Sequence, residues 1–165
     1  MRKWILAALA AVALATSGGD AVAQDETVNT PWAIRIGVLW PTNSDLRDLT
    51  DDTWFNAGID YTINRQGVNE WIGALDYASA SGVNAWIFQL IYKWNNPNPE
   101  NQFSFGVGAA VYNFDPAGGG DQTEYGIPLI GDWAFTERLF LEGKYHWVTS
   151  DADLNNLTLQ LGIRF

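Results

Sequence analysis

From Trp32 to the last residue, apolar and polar side chains alternate with a period of two, and the pattern restarts eight times. Period two puts successive side chains on opposite faces of an extended strand. In the first run Trp32, Ile34, Ile36, Val38 and Trp40 oppose Ala33, Arg35 and Gly37; in the second Phe55, Ala57, Ile59, Tyr61 and Ile63 oppose Trp54, Asn56, Gly58, Asp60, Thr62 and Asn64. The third sets Trp71, Gly73, Leu75 and Tyr77 against Glu70, Ala74 and Asp76. The fourth sets Trp86, Phe88, Leu90, Tyr92 and Trp94 against Gln89 and Lys93, with Ile87 and Ile91 leaving its second face mixed. Phe103, Phe105, Val107, Ala109 and Val111 then oppose Ser104, Gly106, Gly108 and Ala110. Tyr125, Ile127, Leu129, Trp133 and Phe135 oppose Glu124, Gly126 and Asp132, and Leu139, Leu141, Tyr145 and Trp147 oppose Glu142, Lys144 and His146. The last run sets Leu157, Leu159, Leu161, Ile163 and Phe165 against Thr158, Gln160, Gly162 and Arg164. Helical spacing is absent, and an even count of eight lets an antiparallel sheet close with both ends of the chain on one side. The predicted fold is therefore all-β, an eight-stranded antiparallel barrel over residues 32–165.

Which face is outside separates two kinds of barrel. A soluble, ligand-holding barrel turns its apolar face inward; a transmembrane barrel turns it to lipid. The polar faces here mix glycine and alanine with a few charges, which suits a narrow lumen filled by side chains better than a solvated exterior. Aromatics also bracket the apolar faces at matched spacing: Trp32 with Trp40, Trp86 with Trp94, and Tyr125 with Trp133. Eight steps span about 26 Å along a strand and roughly 20 Å along the membrane normal at a tilt of ~40°. Such pairs sit at the two edges of an apolar band as aromatic girdles. Pro128 falls inside the sixth run, where it donates no ladder hydrogen bond. A bulge or register adjustment is expected there, or else a strand that begins only after it.

Composition narrows the function classes. A chain of 165 residues holds one domain of this kind. With no cysteine there is no disulfide, thiolate metal site, thiol nucleophile or lipid-modified N-terminal cysteine. A net charge of −10 argues against a nucleic-acid partner. The chain opens with Arg2 and Lys3, an apolar run from Trp4 to Ala15 and the site Ala21-Val22-Ala23. These are the three parts of a secretory signal peptide, predicted to be cleaved after residue 23 and to leave a short periplasmic segment, 24–31. The connections after the odd-numbered strands, Pro41–Asp52, Ser79–Val83, Asp115–Thr123 and Thr149–Asn155, are on average longer than Arg65–Val68, Asn95–Asn101 and Thr136–Arg138. Long loops belong on the extracellular side and short turns on the periplasmic side. Acidic residues concentrate in the outer loops (Asp45, Asp48, Asp51, Asp52, Asp115, Asp121, Asp151 and Asp153), where they form a solvated surface or gather divalent cations beside lipopolysaccharide.

Residues 32–165 resemble the small eight-stranded outer-membrane barrels of the OmpA/OmpX type. The likeness is carried by the alternating last strand, Leu157-Thr158-Leu159-Gln160-Leu161-Gly162-Ile163-Arg164-Phe165, and by the run Phe135-Thr136-Glu137-Arg138-Leu139-Phe140-Leu141 leading into Tyr145. A terminal Phe165 on such a strand is similar to the signal read by the barrel-assembly machinery of that family. The resemblance implies an outer-membrane location and partners limited to outer-membrane lipid, lipopolysaccharide and that machinery, with an unidentified extracellular ligand possible. It implies a monomer. No peptidoglycan-binding domain is expected after Phe165.

The inward charges Arg35, Asp60, Glu70, Lys93, Asp132, Glu142, Lys144 and Arg164 are expected to pair, because unpaired charge in a low-dielectric lumen is expensive. Asp76, Glu124 and His146 are expected higher in the lumen. An eight-stranded interior is just wide enough for its own side chains. The expected function is thus a structural or surface-interaction role with a plugged lumen and no cofactor or metal. The alternative is a narrow channel for small or hydrophobic solutes of the OmpW type, and the third is a lipid A-modifying enzyme. The enzyme reading is opposed by the single histidine: the deacylase arrangement wants Ser two residues after His146, where Val148 stands, and Ser150 is ~13 Å further along an extended strand. The glycines Gly118, Gly119 and Gly120 sit in a connection and allow a mobile turn rather than a phosphate cradle.

Overall fold

The alternation becomes a closed ladder in the computed structural model, which describes residues 31–96, 102–116, 120–150 and 153–165. The signal peptide, most of the 24–31 segment, the turn residues 97–101, Gly118, Gly119 and Asp151 lie outside the described residues. The strands are β1 (Trp32–Pro41), β2 (Trp54–Gln66), β3 (Asn69–Ala80), β4 (Val83–Asn95), β5 (Phe103–Pro116), β6 (Gln122–Ala134), β7 (Leu139–Val148) and β8 (Asn156–Arg164). A short helix, α1 (Ser44–Leu49), lies in the connection between β1 and β2. Every strand pairs antiparallel with its sequence neighbour, and β1 closes on β8 from Ala33↔Arg164 to Pro41↔Asn156. Trp32 and Phe165 exchange backbone hydrogen bonds, 3.3 and 2.9 Å, so the closure extends to the last residue. The end holding Trp32 and Phe165 is here called the termini end, and the other the helix end.

Burial follows the sequence period. Along β3 every second residue from Glu70 to Ala78 is buried, and the residues between them are half-buried on the outside. The outward side is the apolar one: Ile36, Phe105, Phe88, Trp147 and Leu129 are roughly half exposed or more, whereas inward Asn56, Asp76, Lys144, His146 and Gln160 have almost no exposure. The arrangement is inside-out relative to a soluble barrel. An apolar surface that covers the whole wall far exceeds the few hundred Å² of contiguous patch normal for a soluble monomer.

Two local features depart from the sequence expectation. The register shift lies in β2, where Thr62 pairs with Ile72 and Asn64 with Trp71, leaving Ile63 as the extra residue of a bulge. At Pro128 there is neither bulge nor late start. β6 runs straight through it, Pro128 pairs with His146 across β7, and the β5 register is the same at Val107↔Leu129 as at Ala110↔Gly126. The proline interrupts the β5–β6 ladder only opposite Gly108 and Ala109, where its missing N–H is absorbed without a shift.

The connections also differ from the expected contrast. β3 and β4 are joined by Ser81-Gly82 alone, with Gly82 at φ 81°, and β2 and β3 by Gly67-Val68, with Gly67 at φ 63°. Glycine at positive φ suits such two-residue hairpin turns. The Ser79–Val83 connection is thus a tight turn, and the acidic first loop, not its neighbour, supplies the bulk at the helix end.

Candidate functional site in the lumen

The polar faces of the strands meet inside the barrel and bring their charges together in two groups. The first centres on Arg35 of β1. Its Nη2 lies 2.6 Å from Asp60 Oδ1 and 3.0 Å from Asp76 Oδ1, and its Nη1 2.6 Å from Glu142 Oε1 and 2.5 Å from Gln160 Oε1. Lys144 of β7 bridges the same carboxylates from the other side, 3.0 Å from Asp76 Oδ2 and 3.1 Å from Glu142 Oε1. Gln89 donates to Asp76 as well. The second group, nearer the termini end, centres on Lys93, with Glu70 at 2.9 Å and Asp132 at 3.0 Å. Glu70 also accepts from Thr62 and Asn95, each at 3.2 Å, and has Arg65 at 3.7 Å. The side chains of Arg35 and Lys144 are fully buried. Removing such ions from water costs several kcal/mol each, which only close, multiply bonded partners offset.

The backbone makes room for this cluster. Gly58 lies directly across the β2–β3 ladder from Asp76. A Cβ at Gly58 would come within 1.9 Å of Asp76 Oδ1 and 2.9 Å of Arg35 Nη2, so the glycine is the floor on which the Arg35–Asp76 pair rests.

Arg164 behaves differently from the expectation. It forms no ion pair among the described residues, and its guanidinium sits 4.3 Å from the centre of the Phe140 ring instead. It is the last residue of β8, half-buried at the termini end, where water solvates its charge and the aromatic face takes its plane. Asp76, expected higher up, is a hub of the first group. The signal that would have found it is its place opposite Gly58, the inward position of β2 with no side chain to fill the space.

The helix end of the lumen is apolar. Leu39, Trp54, Ala78, Ala85, Ile87, Ala110, Tyr112, Phe114, Val148 and Leu154 form one buried cluster, against which Leu46 of α1, Ala80 and Val83 pack. Trp54 also secures the first loop, its Nε1 donating to Thr50 Oγ1 at 3.2 Å and Asp51 O at 3.0 Å. The Asp51 carboxylate in turn accepts the Ser81 backbone N–H at 2.7 Å, and this hydrogen bond holds its pKa below the ordinary value of 3.8. Beneath the cluster, Tyr112 Oη lies 2.9 Å from His146 Nδ1. At the termini end there is a recess of about 20 Å³, room for about one water molecule, reaching Asp60, Glu70, Lys93, Asp132, Glu142 and Arg164. No group of three metal-ligating side chains occurs among the described residues.

On the outside, the bracketing aromatics lie in two belts. At the termini end Trp32 packs on Tyr61 (4.6 Å between centroids), Trp94 on Phe105 (5.3 Å) and Trp133 on Phe135 (4.9 Å), and Trp71 meets Tyr92 (4.9 Å). At the helix end Trp86 packs on Tyr77 (4.8 Å), with Tyr125 exposed and Trp40 half-buried. Above that belt the outward residues turn polar: Asn84 Oδ1 accepts from Tyr77 Oη at 2.9 Å and Ser79 Oγ at 2.8 Å.

Fold and lumen together define a closed eight-stranded antiparallel barrel with an apolar exterior and a side-chain-filled, ion-paired interior. Neisserial surface protein A, known from a crystal structure, is similar to it: the TM-score is 0.53, with 11% identity over 81% of this chain and 92% of that one. At that identity the likeness concerns the fold. No protein-family model matches the chain, and no curated protein matches it by sequence.

Proposed function

We propose that the chain is an outer-membrane β-barrel that acts as a structural or surface-interacting component and does no chemistry of its own. The observation that carries this reading is the inverted burial: lipid-compatible Ile, Leu, Phe and Trp outside, between two aromatic belts, and Arg35, Lys93 and Lys144 neutralised inside. The signal-peptide pattern of the N-terminal sequence and a fold like that of a Neisserial surface protein support the location. In this reading the termini end faces the periplasm and the acidic first loop faces outward, with outer-membrane lipid and lipopolysaccharide as its surroundings. Phe165, hydrogen-bonded into the β1–β8 closure, is the residue offered to the assembly machinery, and the barrel works as a monomer. His146 supports a wall role over a catalytic one, since it is wholly buried and bonded to Tyr112. The test is fractionation: the mature protein is expected in the outer membrane with heat-dependent gel mobility, and a soluble periplasmic species without that mobility shift overturns the reading.

A further inference from the structure

We infer that the lumen is shut by its apolar layer at the helix end, and that the ionic network behind it is a blind vestibule open to water from the termini end alone. The inference rests on the chain spanning a membrane, as proposed above, and goes beyond it by assigning the barrier to particular residues. Leu39, Trp54, Tyr112, Phe114, Val148 and Leu154 come from β1, β2, β5, β7 and the connection after β7, so they close the cross-section from most of its circumference. On the β6 side the Tyr112 ring lies so close that a Cβ at Gly126 would be 3.0 Å from its Cε2. Leu46 caps the layer from above. Such a layer offers an ion nothing in exchange for its hydration shell, and a constriction of this kind stays closed by excluding water.

The network is of the opposite character. Among the described residues, Asn56 Oδ1, Gln89 Oε1, Asp132 Oδ1, His146 Nε2, Asn156 Oδ1, Thr158 Oγ1 and Gln160 Nε2 are buried without a protein hydrogen-bond partner. Buried polar atoms in that state are satisfied by internal water. They run from the termini-end group up to His146 and its β8 ladder partner Asn156, where the apolar layer begins, and the recess at the mouth reaches Asp132 and Lys93. Water therefore reaches the network from the mouth and stops at the tyrosine.

The test compares three proteins reconstituted in planar bilayers: wild type, a seal variant (Trp54→Ala with Leu154→Ser) and a network variant (Lys93→Met with Asp132→Asn). Heat-dependent gel mobility first establishes that each is folded; its loss in wild type would count against membrane insertion itself, not against the placement of the seal. Wild type and the network variant are expected to stay at baseline, and the folded seal variant to gain a steady conductance. Steady conductance in wild type or in the network variant, or silence of the folded seal variant, overturns the assignment. Because the chain has no cysteine, Thr158→Cys gives a second readout for a seal variant too fragile to record. Its labelling by a charged thiol reagent should accelerate when the seal is loosened and stay unchanged when the network is neutralised; the reverse order also overturns the assignment.

Discussion

Replacing Arg35 with methionine is the sharpest perturbation of the lumen. The guanidinium touches three carboxylates and Gln160 from a fully buried position. After Arg35→Met, Lys144 still lies 3.0 and 3.1 Å from Asp76 and Glu142, so those two keep a partner. Asp60 loses the one ion pair it has among the described residues, with its side chain only 12% exposed. Breaking a buried pair by removing one partner typically costs about 3–5 kcal/mol. Three kcal/mol is already a factor of roughly a hundred in the folding equilibrium. Adding Asp60→Asn should return about 1–2 kcal/mol, because groups in one network couple by that order. Arg35→Lys should fall between wild type and methionine, since a single ammonium cannot fork onto Asp60 and Glu142 together. The assay is urea unfolding of the folded barrel in lipid vesicles, followed by tryptophan fluorescence. A loss below about 1 kcal/mol for Arg35→Met, with no coupling to Asp60→Asn, would refute the claim that these charges hold the lumen together.

Gly58→Ala forces a Cβ into the Arg35–Asp76 pair and should destabilise by about 1–3 kcal/mol; the outward Gly73→Ala, whose Cβ would come no nearer than 3.4 Å to any neighbour, the end of the Ile63 side chain, should stay within ~0.5 kcal/mol in the same unfolding assay. The Asp51–Ser81 tether has a pH signature. A carboxylate with a lowered folded pKa contributes stability above its unfolded value of 3.8, and that contribution is lost as pH falls through the lower folded value. The difference in urea midpoint between wild type and Asp51→Asn should therefore be present at pH 6 and shrink below about pH 3.8; a difference that ignores pH contradicts the tether. Finally, amide exchange should begin in the barrel wall at residues 108–109 and 127, where Pro128 interrupts the ladder, ahead of the flanking pairs. Uniform protection along β5 and β6 would show that the interruption has no effect.

The strands were legible because a barrel wall has two chemically opposite faces and so writes its period into the sequence. Where the face is mixed, legibility fades: on the inward face of β4, Ile87 joins the apolar layer and Ile91 packs with Ile72, Ala74 and Ile130, alternating with Gln89 and Lys93, and no alternation rule anticipates that. Bulge placement follows packing rather than residue type. Pro128 looked like the place to break register and is held in register by its neighbours, whereas Ile63, an unremarkable strand former, is the one extruded. The charged lumen was foreseeable as a set of inward residues, but not its pairing. Partners such as Arg35 and Glu142 are distant in sequence and meet across the interior, and Asp76 became a hub through the empty position at Gly58. The apolar layer was hidden for a related reason. It is assembled from strand ends and loops, Trp54, Phe114, Leu154 and Leu46, each of which reads singly as an ordinary strand or loop residue.

The central claim is that the apolar face meets lipid and the polar face does not. Single-cysteine nitroxide scanning of β8 in reconstituted bilayers tests it most directly, helped by the absence of native cysteine. Positions 157, 159, 161 and 163 should be accessible to oxygen dissolved in the lipid and closed to a water-soluble paramagnetic complex, while 158 and 160 should be shielded from the oxygen. Strong accessibility of the odd positions to the water-soluble complex would contradict the account.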